Sequence, residues 1–169
     1  LSVQTTGTLV TGKSIASILI NNTTSYSITI YGDESDLENI ESIPVTIDVS
    51  DMGNESTRTY NVNIRRPNGV RDMSADSVEI TATFGDEEQK TVVLTSNFAQ
   101  RNTGSGLTAN PIAGQEISVQ VKGVASVIED ITAEDIQAYI DLDGLTAGDY
   151  EVEVKIDNNN PLVSYVVSN

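Results

Sequence analysis

Any chemistry in this chain has to come from carboxylates, hydroxyls and guanidinium groups, because it contains no His and no Cys. That removes Ser–His and Cys–His nucleophile pairs. It also removes thiolate chemistry and the nitrogen and sulfur ligands usual at zinc. Asp141-Leu142-Asp143-Gly144, with Asp149 beyond, has the look of a calcium loop. An EF-hand needs a further ligand before the glycine and a glutamate at position twelve, and neither is present. Asp48 occupies the same place as Asp141 in an earlier, similar stretch. A carboxylate that recurs in this way is read as a turn cap accepting local backbone N–H bonds. Acid pairs of the glycosidase kind work in aromatic-lined clefts, and this chain has no Trp and two Phe. Gly104-Ser105-Gly106 lacks the spacing of a phosphate loop and reads as a flexible link. The composition therefore predicts a protein that is not an enzyme and uses no cofactor or metal.

The charges point to binding surfaces. Asp33, Glu34, Asp36, Glu38 and Glu41 form one acidic cluster, and Glu129, Asp130, Glu134 and Asp135 form another. Both read as solvated faces near the start of a helix, where acids complement its dipole. Arg65, Arg66 and Arg71 form the one basic cluster, and they are the candidate partner contact, together with residues 99–115. The net charge of −16, from 25 acidic and 9 basic residues, opposes a phosphate backbone and an anionic lipid leaflet. Nucleic acid is therefore not an expected partner. No apolar run is long enough to span a bilayer, and no signal peptide is visible. The chain starts at Leu1, so it reads as a piece of a longer protein whose anchor lies elsewhere.

The elements that must position these residues are mostly strands. Ile117, Val119 and Val121 alternate with polar residues up to Gly123, which is the period of a half-buried strand. Ser126 and Glu129 then have the spacing of a capping box. Alternation resumes at Ile136, Ala138 and Ile140, ending at Asp141. The same order appears earlier as Ile28, Ile30, Gly32, then Ser35 and Glu38, then Ile43, Val45, Ile47 and Asp48. Leu37 stands where Ile128 stands, and Tyr60, Val62 and Ile64 where Tyr150, Val152 and Val154 stand. This is an internal repeat. Gly85 to Lys90 reads as a charged junction between the copies. Val78 to Phe84 forms a last strand in copy one and has no counterpart in copy two. The sequence thus predicts a mainly β chain of two tandem small β-rich domains, residues 1–87 and 88–169. Each has one short helix, the arrangement is elongated, and the second domain lacks its last strand.

These residues resemble the YbbR-like domain family. The resemblance rests on Val119-Gln120-Val121-Lys122-Gly123, Ile140-Asp141-Leu142 and Gly148-Asp149-Tyr150-Glu151-Val152. In copy one it rests on Ile28-Thr29-Ile30-Tyr31-Gly32 and Ile47-Asp48-Val49, with Arg58-Thr59-Tyr60 in place of the glycine-led element. The resemblance implies β modules distantly similar in fold to a ribosomal 5S-RNA-binding protein. It implies arrays outside the cell membrane, behind an N-terminal anchor lying outside this chain. It further implies a protein partner, the membrane diadenylate cyclase that makes cyclic di-AMP in Gram-positive bacteria, and a regulatory role without catalytic residues. The alternative is a spacer or adhesion module with no signalling role.

Overall fold

The computed structural model describes residues 1–95, 98–110 and 116–168. It divides into two units, Leu1–Asp86 and Glu87–Asn169.

The first unit opens with β1 (Ser2–Thr6) and β2 (Lys13–Ile20), followed by β3 (Ile30–Gly32) and the single-turn helix α1 (Glu34–Leu37). Then come β4 (Pro44–Asp48), a 3-10 turn at Ser50–Met52, β5 (Thr57–Asn63), β6 (Val70–Met73) and the long strand β7 (Ser77–Thr95). β1 runs parallel to β4, β3 pairs antiparallel with β6, and β7 lies between β2 and β5. The buried face follows the alternation. Val45 and Ile47 face inward on β4, as do Val78, Ile80, Ala82 and Phe84 on β7. Ile15, Val49, Met52, Ile64 and Val70 complete a core of aliphatic residues.

The second unit takes β7 from Glu87 onward and pairs it with β9 (Glu116–Val124), which in turn pairs with β12 (Ser164–Ser168). A second sheet holds β8 (Ala99–Arg101), β10 (Gln137–Asp141) and β11 (Val154–Asp157), with β10 central. The helix α2 (Ala125–Ile128) leads directly out of β9. Val92, Leu94, Val119, Val121, Ile128, Ile136 and Val163 form the core.

The repeat is visible in the pairing. β8 lies parallel to β10 as β1 does to β4, and β12 pairs with β9 as β6 does with β3. The Val49 N–H donates to the Thr6 carbonyl at 2.9 Å, and the Leu142 N–H to the Arg101 carbonyl at the same distance. The paired glycines have one job, which is to leave space. A Cβ on Gly32 would lie 2.5 Å from the Gly69 carbonyl oxygen and 3.2 Å from Leu37. A Cβ on Gly123 would lie 2.7 Å from Ile128 and 3.1 Å from the Leu162 carbonyl oxygen. In each unit the bare strand end lets the helix and the later turn close over it.

Three details differ from the sequence expectation and one refines it. The S-x-x-E boxes are not formed: α1 starts after Asp33 and α2 after Val124, neither with a side-chain cap bond. Ser35 and Ser126 are already inside their four-residue helices, too late to cap them. The formed capping box is Thr132 with Asp135, on the 3-10 turn Ala133–Asp135. The charged Gly85–Lys90 junction, which spans the boundary of the two units, is itself strand, part of β7. Its charges find partners while the ladder continues: Lys13 holds Asp86 at 2.7 Å. Lys90 Nζ donates to the Glu129 and Ile131 carbonyls at 2.6 and 2.8 Å, binding the carbonyl end of α2 as a cation can. Ser25–Thr29 is not strand; β3 begins at Ile30. Residues 150–153 are not strand either: their counterparts in β5 are paired along β7, and no described strand lies beside 150–153.

Two consequences are measurable by denaturant unfolding. Gly32→Ala is expected to cost about 1–3 kcal/mol, as overpacking against fixed atoms does. Gly123→Ala should cost a similar amount, because its nearest neighbour is the Cγ2 methyl of buried Ile128, a β-branched side chain with little freedom to shift. Lys90→Met should destabilise by about 1–3 kcal/mol, the range for bonds from a charged donor to backbone.

Candidate binding surfaces

The basic cluster is built on a tight turn. Ile64 is buried and its N–H donates to the Asp76 carbonyl at 2.8 Å, which fixes the end of β5. Pro67-Asn68-Gly69 then reverses the chain. The Val70 N–H donates to the Pro67 carbonyl at 3.2 Å, and Gly69 sits at φ +82°, a region open to glycine. Buried Val70 anchors the return. Arg65, Arg66 and Arg71 are thereby held exposed around one turn. Arg66 Nη1 donates to the Arg71 carbonyl at 2.8 Å, and its Nη2 lies 3.9 Å from Asp76 Oδ1. Arg71 makes an ion pair with Asp33, the residue before α1. Arg65 has no acidic partner among the described residues. The structure therefore brings the basic cluster against the first acidic cluster. Both ion pairs are exposed, where such contacts contribute little, so an acidic partner can replace them at small cost.

The recurring aspartates serve backbone geometry. Asp48 Oδ1 accepts from the Ser50 N–H at 2.9 Å and from its hydroxyl at 2.5 Å. Asp141 Oδ1 accepts from Asn102 Nδ2 at 2.8 Å and from the Asp143 N–H at 3.2 Å. The Ser50 hydroxyl and backbone hold the Asp48 carboxyl below its ordinary range, and Asn102 and the Asp143 backbone do the same for Asp141. A bonded Asp141 is a turn residue, and no described group of three or more acids is arranged to hold a metal ion.

The 99–115 stretch divides. Ala99–Arg101 is β8, and residues 111–115 lie outside the described residues. Between them a turn closes from Gly104 to Leu107, whose N–H donates back at 3.0 Å. This turn helps line an open groove, together with Leu107, Ala109, Leu142, Leu145, Ala147 and Tyr150. Sequence reasoning missed this groove. Its residues are widely spaced and follow no period, so only the pairing of β8 with β10 brings them together.

A family model described as YbbR-like protein matches residues 1–83 and 99–169. The chain belongs to the YbbR family. It is 25% identical over 156 residues to a protein of Bacillus subtilis (strain 168) named CdaA regulatory protein CdaR. That match takes in 91% of this chain and 31% of the relative, so the chain spans about a third of the protein it resembles. No solved structure matches it. Among the described residues no helix is long and apolar enough to cross a membrane.

The lowered carboxyls give a pH prediction. The bonds to Asp48 and Asp141 favour the ionised form, so the stability they add is present above the unfolded value near 3.8. It is lost as pH falls through the lower folded values. In thermal unfolding, Asp141→Ala should melt below wild type at pH 6, and the gap should narrow steadily below pH 4.

Proposed function

We propose that this chain is a non-catalytic regulatory module of two YbbR-like domains, residues 1–87 and 88–169, on the extracellular side of the cell membrane. It belongs to a longer protein held by an N-terminal anchor outside this sequence. Its partner is the membrane diadenylate cyclase, whose output of cyclic di-AMP it modulates by protein–protein contact. The observation that carries this reading is the match along 91% of the chain to a protein named as a regulator of CdaA. Two features support it. The chain lacks the His and Cys of common catalytic centres. Arg65, Arg66 and Arg71 present exposed cations on a fixed turn in an otherwise acidic protein. Regulation requires that the module bind two states of the cyclase unequally, and contact through such a turn depends on charge.

The test is co-expression of the full-length protein with the cyclase, reading co-purification and cyclic di-AMP. Deleting residues 1–169 should change the cyclic di-AMP level. The triple variant Arg65→Glu, Arg66→Glu, Arg71→Glu should slow association most at low salt, as loss of steering does. Unchanged cyclic di-AMP after the deletion would favour the spacer or adhesion reading instead.

A further inference from the structure

We propose that Asn68 is a self-modification site. The backbone nitrogen of Gly69 attacks the Asn68 side-chain carbonyl, and the tip of the basic turn becomes a carboxylate.

The fold leaves this pair open to reaction. Asn68 and Gly69 are both exposed. Among the described residues the Asn68 amide has no hydrogen-bond partner, and the Gly69 N–H donates to none. The turn is closed by one bond, from the Val70 N–H to the Pro67 carbonyl at 3.2 Å, so a local opening is enough to free Asn68. Glycine places no Cβ beside the attacking nitrogen. The fold also fixes that glycine: Gly69 has φ +82°, and a Cβ there would lie 2.5 Å from the Asp36 Cβ. It asks nothing of the Asn68 side chain. No other Asn in the chain is followed by Gly.

The second unit supplies the comparison. The repeat that aligns Tyr60 with Tyr150 aligns Asn68 with Asn158. There the amide is held at both ends. Nδ2 donates to the Val163 carbonyl at 2.8 Å, and Oδ1 accepts from the Asn160 N–H at 3.0 Å. Asn159 follows in place of glycine, and its side chain crowds the nitrogen that would have to attack.

The step balances with water alone. The Gly69 nitrogen gives up its proton and bonds to Asn68 Cγ. The side-chain nitrogen leaves as ammonia, and a cyclic imide remains. Water then opens the ring at either carbonyl. One product has an ordinary aspartate at position 68. The other runs the main chain through the side-chain carboxyl, which adds a methylene to the backbone. Both set a negative charge among Arg65, Arg66 and Arg71. The second also displaces Gly69, whose carbonyl oxygen lies 2.5 Å from the place of a Gly32 Cβ, so it works against closure of the first unit.

This chemistry does not depend on the regulatory reading or on any partner. The test is to incubate the 169-residue chain in mildly alkaline buffer and follow, by mass spectrometry, the proteolytic peptide spanning residues 66–71, whose one asparagine is Asn68. Conversion of amide to acid is expected there, in two isomers that chromatography separates, at least about tenfold faster than at Asn158. It should quicken as pH rises, because the attacking nitrogen must lose its proton. Asn68→Gln should abolish it, because the longer side chain closes a ring poorly. Asn68 is exposed and unbonded, so that variant keeps the fold. In thermal unfolding the backbone-shifted isomer should melt several degrees below the Asn68→Asp chain. The proposal is overturned if position 68 keeps its amide while a free peptide of residues 66–71 converts completely, or if Asn158 converts as fast. Equal melting of the two products overturns the effect on closure.

Discussion

Two strand ends without a Cβ decide how each unit closes. At Gly32 and Gly123 the chain leaves a strand and enters a helix, and the helix must come back over the strand it has just left. Leu37 and Ile128 make that contact from above, while the Gly69 and Leu162 carbonyls approach from the later turn. Neither glycine is there for unusual dihedral angles. Each is there because three pieces of chain meet in the volume of one methyl group. The basic turn of the first unit is positioned by the same contact: Gly69 lies against both Gly32 and Asp36, which sets Arg71 beside Asp33.

The sheets around these points are built from β-branched and aliphatic residues with few rings. Packing then depends on continuous alternation, since no Trp is available to fill irregular space. Where alternation is paired on both sides, as at Val119 and Val121, burial is complete. Where no described strand lies alongside, as at residues 150–153, the same alternating pattern does not form a strand. Alternation encodes which side faces inward; the ladder itself needs a second backbone.

That distinction explains what could be read in advance. The two copies, their glycines, the alternation of β4, β9 and β10, and the turn role of Asp48 and Asp141 were all legible, because each is set by residues near in sequence. The capping boxes misled because Ser and Glu at the right spacing say nothing about where a helix begins, and here each helix starts two residues earlier than the pattern implies, with Asp33 and Val124 at the N-cap. The Gly85–Lys90 junction was legible from its charge, but the strand running through it was not, since an exposed strand face carries charges readily when Lys13 and Lys90 can reach partners. For the candidate surfaces, the arginines were visible as a cluster, but their engagement by Asp33 and Asp76 was not. The groove was invisible, because it arises from a pairing between residues about forty positions apart.

The long strand β7 has a consequence for how the polypeptide matures. Every strand that closes the first unit lies upstream of Glu87, so that unit can complete its hydrogen bonding before the rest has been synthesised. The residues emerging next, Glu87 to Thr95, then follow from an already ordered backbone and give β9 a template edge to join. Maturation thus has a built-in direction, from the amino end forward.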